Sequence, residues 1–215
     1  LLEHPNYLEA QEGWEEVSKL LAALSEFENT PVNGDSIWVT ELARCLRYSF
    51  LARRHPVKLD FKTVMKMHIG TGLHIRLQRL LQKHGFEVEK RVELKTDLGF
   101  KVVGRIDVYD PEENAVYELK YTHFDKLDKV RLANYLRQLN YYVEMADATR
   151  GYLVIVHADG KVEEVKRPHF KTDLIRRANS FGIALEEGIL PPKKPKPDTE
   201  CAECPFFSYC WGGKR

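Results

Sequence analysis

Val103-Gly104-Arg105-Ile106-Asp107-Val108 and, after a short polar turn, Val116-Tyr117-Glu118-Leu119-Lys120-Tyr121 are the stretches on which the fold turns. Both are rich in β-branched and aromatic residues, as strands are. The intervening Asp110-Pro111-Glu112-Glu113-Asn114 is turn chemistry. Side chains two apart on a strand share a face, so Glu118 and Lys120 project together while Leu119 points the other way. Folded as a hairpin, the strands set Asp107 beside Glu118. Two carboxylates so placed repel unless a cation lies between them. A hard divalent ion such as Mg²⁺ takes carboxylate oxygens and keeps several waters. Lys120 beside it would hold an attacking hydroxide or stabilise phosphorane charge. The same residues equally suit a cross-strand ion pair, Asp107 or Glu118 with Lys120 or Arg105 on a solvent face.

Outward from this hairpin the periods alternate. Glu87 to Leu94 reads as a strand preceding Phe100 to Tyr109 and Ala115 to Tyr121. Residues 129–147 return to helical spacing through Leu132, Leu136, Leu139 and Val143. A second hairpin, Tyr152 to His157 and Val162 to Lys166, turns at Ala158-Asp159-Gly160, and a helix follows from about Lys171 to Glu187. Upstream, a helix from about Lys62 to His84 carries Leu73, Leu77, Leu80 and Leu81 on one face. Another, capped by Asp35 or Ser36, runs to about Arg54 and carries Cys45. An amphipathic helix is expected over residues 7–28. The order predicts an α/β fold with a small mixed central sheet flanked by helices. Leu190-Pro-Pro-Lys-Lys-Pro-Lys-Pro-Asp198 is an extended linker.

The helices bring further chemistry to the strands. His74, on the border of an apolar face, suits either a packed core histidine or a metal ligand, with His68 as a rival. Gln138 and Tyr142 are four apart and share a helical face. Four cysteines complete the set: Cys45 alone, then Cys201, Cys204 and Cys210 after an interval of 155 residues. A chain with a good core needs no disulfide staples. Zinc and an iron–sulfur cluster both accept four thiolates, and one lone ligand with a run of three is closer to the iron–sulfur pattern. Shared between the chain's early and late parts, such a group would act as a clasp.

Composition excludes several classes. The chain has 215 residues, 43% hydrophobic and 30% charged, which is not a disordered polar chain. Its 33 Lys and Arg against 32 Asp and Glu leave a formal charge of +1, so any nucleic-acid contact must come from local patches. Candidates are Arg53, Arg54, Lys58, Lys62 and Lys66, with Lys126, Lys129, Arg131 and Arg137 beside the Gln138 helix. Phe124, Tyr135 and Tyr141 are candidate stacking platforms for single-stranded bases. Apolar runs such as Tyr152 to Val156 are too short for a membrane span, and Leu1 to Ala10 is unlike a signal peptide. A cytoplasmic protein without membrane association is expected.

In chain order, His74, Gly104-Arg105-Ile106-Asp107, Glu118-Leu119-Lys120 and Gln138-Leu139-Asn140-Tyr141-Tyr142 resemble the RecB-like branch of the PD-(D/E)XK nuclease superfamily. Addition of Cys45 and the late Cys201, Cys204 and Cys210 makes the chain look like the fourth CRISPR-associated (Cas) protein family. Val39-Thr-Glu-Leu-Ala-Arg-Cys45-Leu-Arg-Tyr48 is similar to that family's amino-terminal signature, which often has Pro where this chain has Leu46. The resemblance spans residues 36–212. Outside it lies the helical extension over 1–35; within it the resemblance implies a restriction-endonuclease-like core over 36–189 and a linker with an iron–sulfur tail over 190–215. It also implies a metal-dependent exonuclease on DNA, single-stranded and mostly 5′-to-3′, that processes spacer precursors in CRISPR adaptation with the integrase Cas proteins. By position, Asp107 and Glu118 would bind Mg²⁺ or Mn²⁺, with His74 and the Leu119 carbonyl as further ligands. Lys120 would position or activate the water, and Gln138 and Tyr142 would organise site and strand. The cluster, on Cys45, Cys201, Cys204 and Cys210, would be structural, commonly 4Fe-4S and sometimes 2Fe-2S. Two alternatives remain: a nuclease subunit of a DNA-repair helicase–nuclease, with its motor on another chain, and a non-catalytic nucleic-acid-binding scaffold.

Overall fold

The computed structural model describes residues 35–55, 57, 61–124, 126–168 and 172–212. The helix expected over 7–28 and the contact expected from Lys58 lie outside them. Six strands form one mixed sheet: β1 (Ser36–Trp38), β2 (Glu87–Lys95), β3 (Lys101–Asp110), β4 (Ala115–Thr122), β5 (Arg150–His157) and β6 (Val162–Pro168). Seven helices accompany it among the described residues: α1 (Val39–Ala43), α2 (Leu46–Arg54), α3 (Phe61–Gln82), α4 (Lys129–Met145), α5 (Leu174–Glu187), α6 (Thr199–Ala202) and α7 (Phe207–Trp211).

The axis of the sheet is β3. Along one side β2 pairs with it antiparallel from Glu87↔Tyr109 to Lys95↔Lys101. Its other side is shared: β1 runs parallel to residues 101–103, and β4 pairs antiparallel only from Asp110↔Ala115 to Val108↔Tyr117. Beyond that point β3 and β4 part, one residue short of the Asp107/Glu118 level. The Asp110 carboxylate accepts from Glu112 N (2.9 Å) and Glu113 N (3.1 Å), which makes the turn. Parallel pairing of β4 with β5 requires a crossover, which α4 supplies. The core is filled by Ile37, Val102, Ile106, Leu139, Leu153, Ile155 and Phe181, all essentially inaccessible to solvent.

The stretch expected as one helix from Asp35 or Ser36 to Arg54 is three elements, β1, α1 and α2, with extended backbone at Arg44. Ile37 gains burial in the sheet, and the last carbonyls of α1 are satisfied from elsewhere in the chain. Arg137 Nη1 donates to Ala43 O (2.8 Å), Arg177 Nε to Leu42 O (2.9 Å) and Arg177 Nη2 to Arg44 O (2.8 Å). Cys45 therefore stands at the break, capping α2 rather than riding within a helix.

Candidate active site

At the fork between β3 and β4 the polar side chains of Asp107, Glu118 and Lys120 come together. Asp107 Oδ2 accepts from Leu119 N at 2.8 Å, closing the fork with a side chain where backbone pairing has ended. Glu118 is wholly buried, its Oε1 accepting from Lys120 Nζ at 2.5 Å. Its Oε2 is also buried and has no hydrogen-bond partner. From α3, His74 Nδ1 lies 3.7 Å from Asp107 Oδ1. From α4, Gln138 and Tyr142 lie one turn apart and are both buried, with Tyr142 within electrostatic reach of the same carboxylates. Gly104 makes room for them: a Cβ there would stand 2.4 Å from Tyr142 Cε1.

The electrostatics follow from desolvation. Burial pushes Glu118 up to about 8, against the pull of Lys120 and with the help of Asp107. Asp107 is raised by burial as well, opposed by Lys120 and His74. Burial works against the Lys120 ammonium, yet Glu118 and Asp107 outweigh it and hold the pKa above the ordinary lysine value. Burial also raises the Tyr142 phenol, with Glu118 adding to the effect. Lys120 is therefore held as a cation beside the two carboxylates throughout the neutral range.

These donors fit a divalent cation. A buried carboxylate oxygen without a partner costs about 1–3 kcal/mol or more, and a bound cation would satisfy it. Hard oxygens with one imidazole suit Mg²⁺ or Mn²⁺. Among the described residues, no three of His, Cys, Asp and Glu already stand as ligands of one ion.

Two neighbours escaped the sequence reading. Gln78, one turn after His74 on α3, is buried and donates from Nε2 both to Glu89 Oε1 (2.7 Å) and to Asp107 O (3.1 Å). Glu89 stands opposite Asp107 on β2 with φ of 52°, and its Oε2 lies 3.3 Å from Arg105 Nη1. The i, i+4 spacing of His74 and Gln78 was a readable signal. Glu89 was not, because its position depends on strand register.

Several expected DNA contacts are corrected. Arg53 is a strut, bonded to Glu41 Oε1 (2.7 Å), Glu41 Oε2 (2.6 Å) and Ser36 O (2.7 Å), and Arg137 is occupied at Ala43 O. Tyr141 is fully buried and donates to Asp173 Oδ1 (2.7 Å), so it offers no face to a base. Arg54 covers the Phe50 ring at 3.7 Å. By contrast Lys66, 2.9 Å from His123 Nε2, and Arg131, 4.6 Å from the Phe124 ring, surround an aromatic pair just beyond β4.

The four cysteines line one pocket with Leu51, Phe206, Phe207 and Trp211. Cys45 N donates to Glu200 Oε1 (3.2 Å), Arg47 Nη1 to Pro191 O (3.0 Å), and Lys193 Nζ to Cys210 O (3.1 Å), so the late segment lies against the early one. Burial and the other three cysteines raise the Cys204 thiol. Arg47, Lys193 and Lys194 line the same apolar pocket, and among the described residues no three of the cysteines stand together as a metal-ligand group.

The chain is 37% identical over 82 residues to the CRISPR-associated exonuclease Cas4 of Aeropyrum pernix, covering 34% of this chain and 40% of that protein. It thus spans well under two thirds of this curated relative. Its fold is similar to the crystal structure of SSO0001, with TM-score 0.68, 23% identity, and 93% of this chain and 98% of that one covered. A weaker likeness, with TM-score 0.45 and 15% identity over 69% of this chain and 78% of the other, is to a phage-related exonuclease from Haemophilus somnus 129PT. Residues 17–211, which include the forked strands, both flanking helices and all four cysteines, match one family description, and the chain accordingly belongs to the PD-(D/E)XK nuclease superfamily.

Proposed function

We propose that this protein is a Cas4-like, divalent-metal-dependent DNA exonuclease. The observation that carries the reading is the convergence of Asp107 and the buried, half-satisfied Glu118 at the strand fork, with Lys120 alongside. Asp107, Glu118, His74 and the Leu119 carbonyl would hold Mg²⁺ or Mn²⁺. Such an ion, when bound, lowers the pKa of a water and withdraws charge from phosphate oxygens. Lys120, kept protonated, positions the attacking water and balances charge building on the phosphate. Gln138 and Tyr142 fix the Glu118 side of the site and orient the strand. Single-stranded DNA is gripped by Lys62, Lys66, Lys126, Lys129 and Arg131, with Phe124 and Tyr135 as stacking faces.

The cysteines would hold a structural iron–sulfur cluster, 4Fe-4S before 2Fe-2S, that clasps residues 190–215 onto the core of 36–189. The likeness to Cas4 supports trimming of spacer precursors with the integrase Cas proteins in the cytoplasm. Among the described residues, no helix is long and apolar enough to cross a membrane. The test is degradation of end-labelled oligonucleotides by the intact protein, prepared without oxygen, with Mg²⁺, Mn²⁺ or EDTA. Metal-dependent shortening from the 5′ end is expected. Binding without cleavage under either metal would favour the scaffold alternative.

A further inference from the structure

Behind the acidic site lies a second polar layer that the family's motif residues do not include. Gln78 has both amide hydrogens committed, one to the Asp107 carbonyl and one to Glu89, and it is buried, so neither bond is exchanged with water. Its side chain therefore ties α3 simultaneously to β3 and β2 at the level of the carboxylates. Glu89 is held there in a left-handed backbone conformation that costs a non-glycine residue about 1–3 kcal/mol. Between the pairs Val88↔Val108 and Lys90↔Ile106, Glu89 shares the Asp107 face of the sheet, and its charge acts on Asp107 and on Glu118. The independent sign that a cation belongs in front of this layer is Glu118 Oε2, fully buried and without a partner.

We propose that Gln78 and Glu89 are positioning residues: Gln78 locks the backbone under Asp107 and aims Glu89, whose negative charge strengthens divalent-cation binding at the site. This rests on the nuclease reading above. Glu89 does not ligate the ion; it sets how firmly Asp107 and Glu118 do. The Arg105 guanidinium, 3.3 Å from Glu89 Oε2, shares that carboxylate through a solvent-screened surface pair.

Calorimetric titration of the intact, metal-depleted protein with Mn²⁺ tests it, with melting temperature followed in parallel. Glu89→Gln keeps an acceptor for Gln78 and removes the charge; Gln78→Met keeps the volume and removes both donors. Each should weaken Mn²⁺ binding by about tenfold, the usual size of an outer-layer effect, and added Mn²⁺ should restore cleavage by Glu89→Gln. Arg105→Ala should leave Mn²⁺ affinity within about twofold of wild type by the same surface argument. Should Gln78→Met fail to fold, the exposed Glu89→Gln still decides the matter. Affinities within twofold of wild type in Glu89→Gln, or an equal loss in Arg105→Ala, overturn the proposal. A wild-type protein that binds no Mn²⁺ overturns instead the nuclease reading on which it rests.

Discussion

The acidic fork and the cysteine pocket are built on opposite principles. The fork is made by neighbours on one sheet: a ladder that ends early, a carboxylate accepting from the next backbone amide, and a lysine two residues along. Its polar groups meet one another directly, Lys120 against Glu118 and His74 3.7 Å from Asp107. The cysteine pocket joins segments 155 residues apart and is assembled by single side-chain contacts, Cys45 to Glu200 and Thr199 to Asp128 among them. The fork should thus keep its shape when its chemistry is removed, whereas the pocket should lose its shape.

The largest effect expected is on the fork. Asp107→Asn should reduce cleavage by about a thousandfold or more, the several kcal/mol that a bound cation supplies to a phosphoryl transition state. Circular dichroism, melting temperature and iron content should stay as in wild type. Cys45→Ser is its mirror image. Iron and the absorption near ~400 nm should be lost, and stability should fall by about 3 kcal/mol, or roughly 10 °C in Tm, because a closed loop of this length is opened. A Cys45→Ser protein with unchanged iron and melting would erase the contrast. So would a stoichiometric zinc content with no iron in an anaerobic preparation.

How much of each region was legible follows from the same difference. β2, β3 and β4 fall within a residue or two of the stretches read from alternation, and pairing Asp107 with Glu118 needed only the hairpin turn. β1 was hidden: three residues are too few to show a period, and its partner β3 begins more than sixty positions later. Arg53 and Tyr141 read as candidate DNA contacts from residue type alone, yet Glu41 and Asp173 take them inward. The return of the tail to Cys45 was inferred from the likeness of its cysteine pattern, while Glu200 and Lys193, which hold it, carried no pattern to read. Local periodicity reports elements; tertiary partners decide what individual polar side chains do.

Acidity gives a smaller and sharper test of the fork. Burial holds Glu118 protonated up to about pH 8 in the metal-free protein, so a cation must displace a proton to bind. Apparent Mn²⁺ affinity should rise with pH by up to about tenfold per unit from neutrality and level off near that value. Stability runs the other way. A carboxyl whose folded pKa is raised contributes fully below its ordinary pKa of 4.5 and loses that contribution as pH climbs to about 8. Saturating Mn²⁺ should therefore raise Tm most at the alkaline end. Glu118→Gln should remove both trends. If the trends survive in that variant, the titrating group lies elsewhere and the fork is not the cation site.

The smallest effect concerns the ground between the regions. β4 passes from Lys120 to Thr122 and then to His123 and Phe124, whose rings lie 4.0 Å apart. Burial lowers the His123 pKa, and the positive charges of Lys66, Arg131 and Lys62 lower it further, so the histidine reports a cationic field at the exit of the fork. A phosphodiester backbone leaving the acids would meet that field first. Lys66→Ala should raise KM for a single-stranded oligonucleotide by about threefold and flatten the salt dependence of binding by about one charge, with kcat unmoved. Lys193→Ala, on the cysteine side and bonded to Cys210 O, should change neither. Equal losses in the two variants would mean that DNA runs across both regions, and the division between a cutting fork and a closing clasp would have to be redrawn.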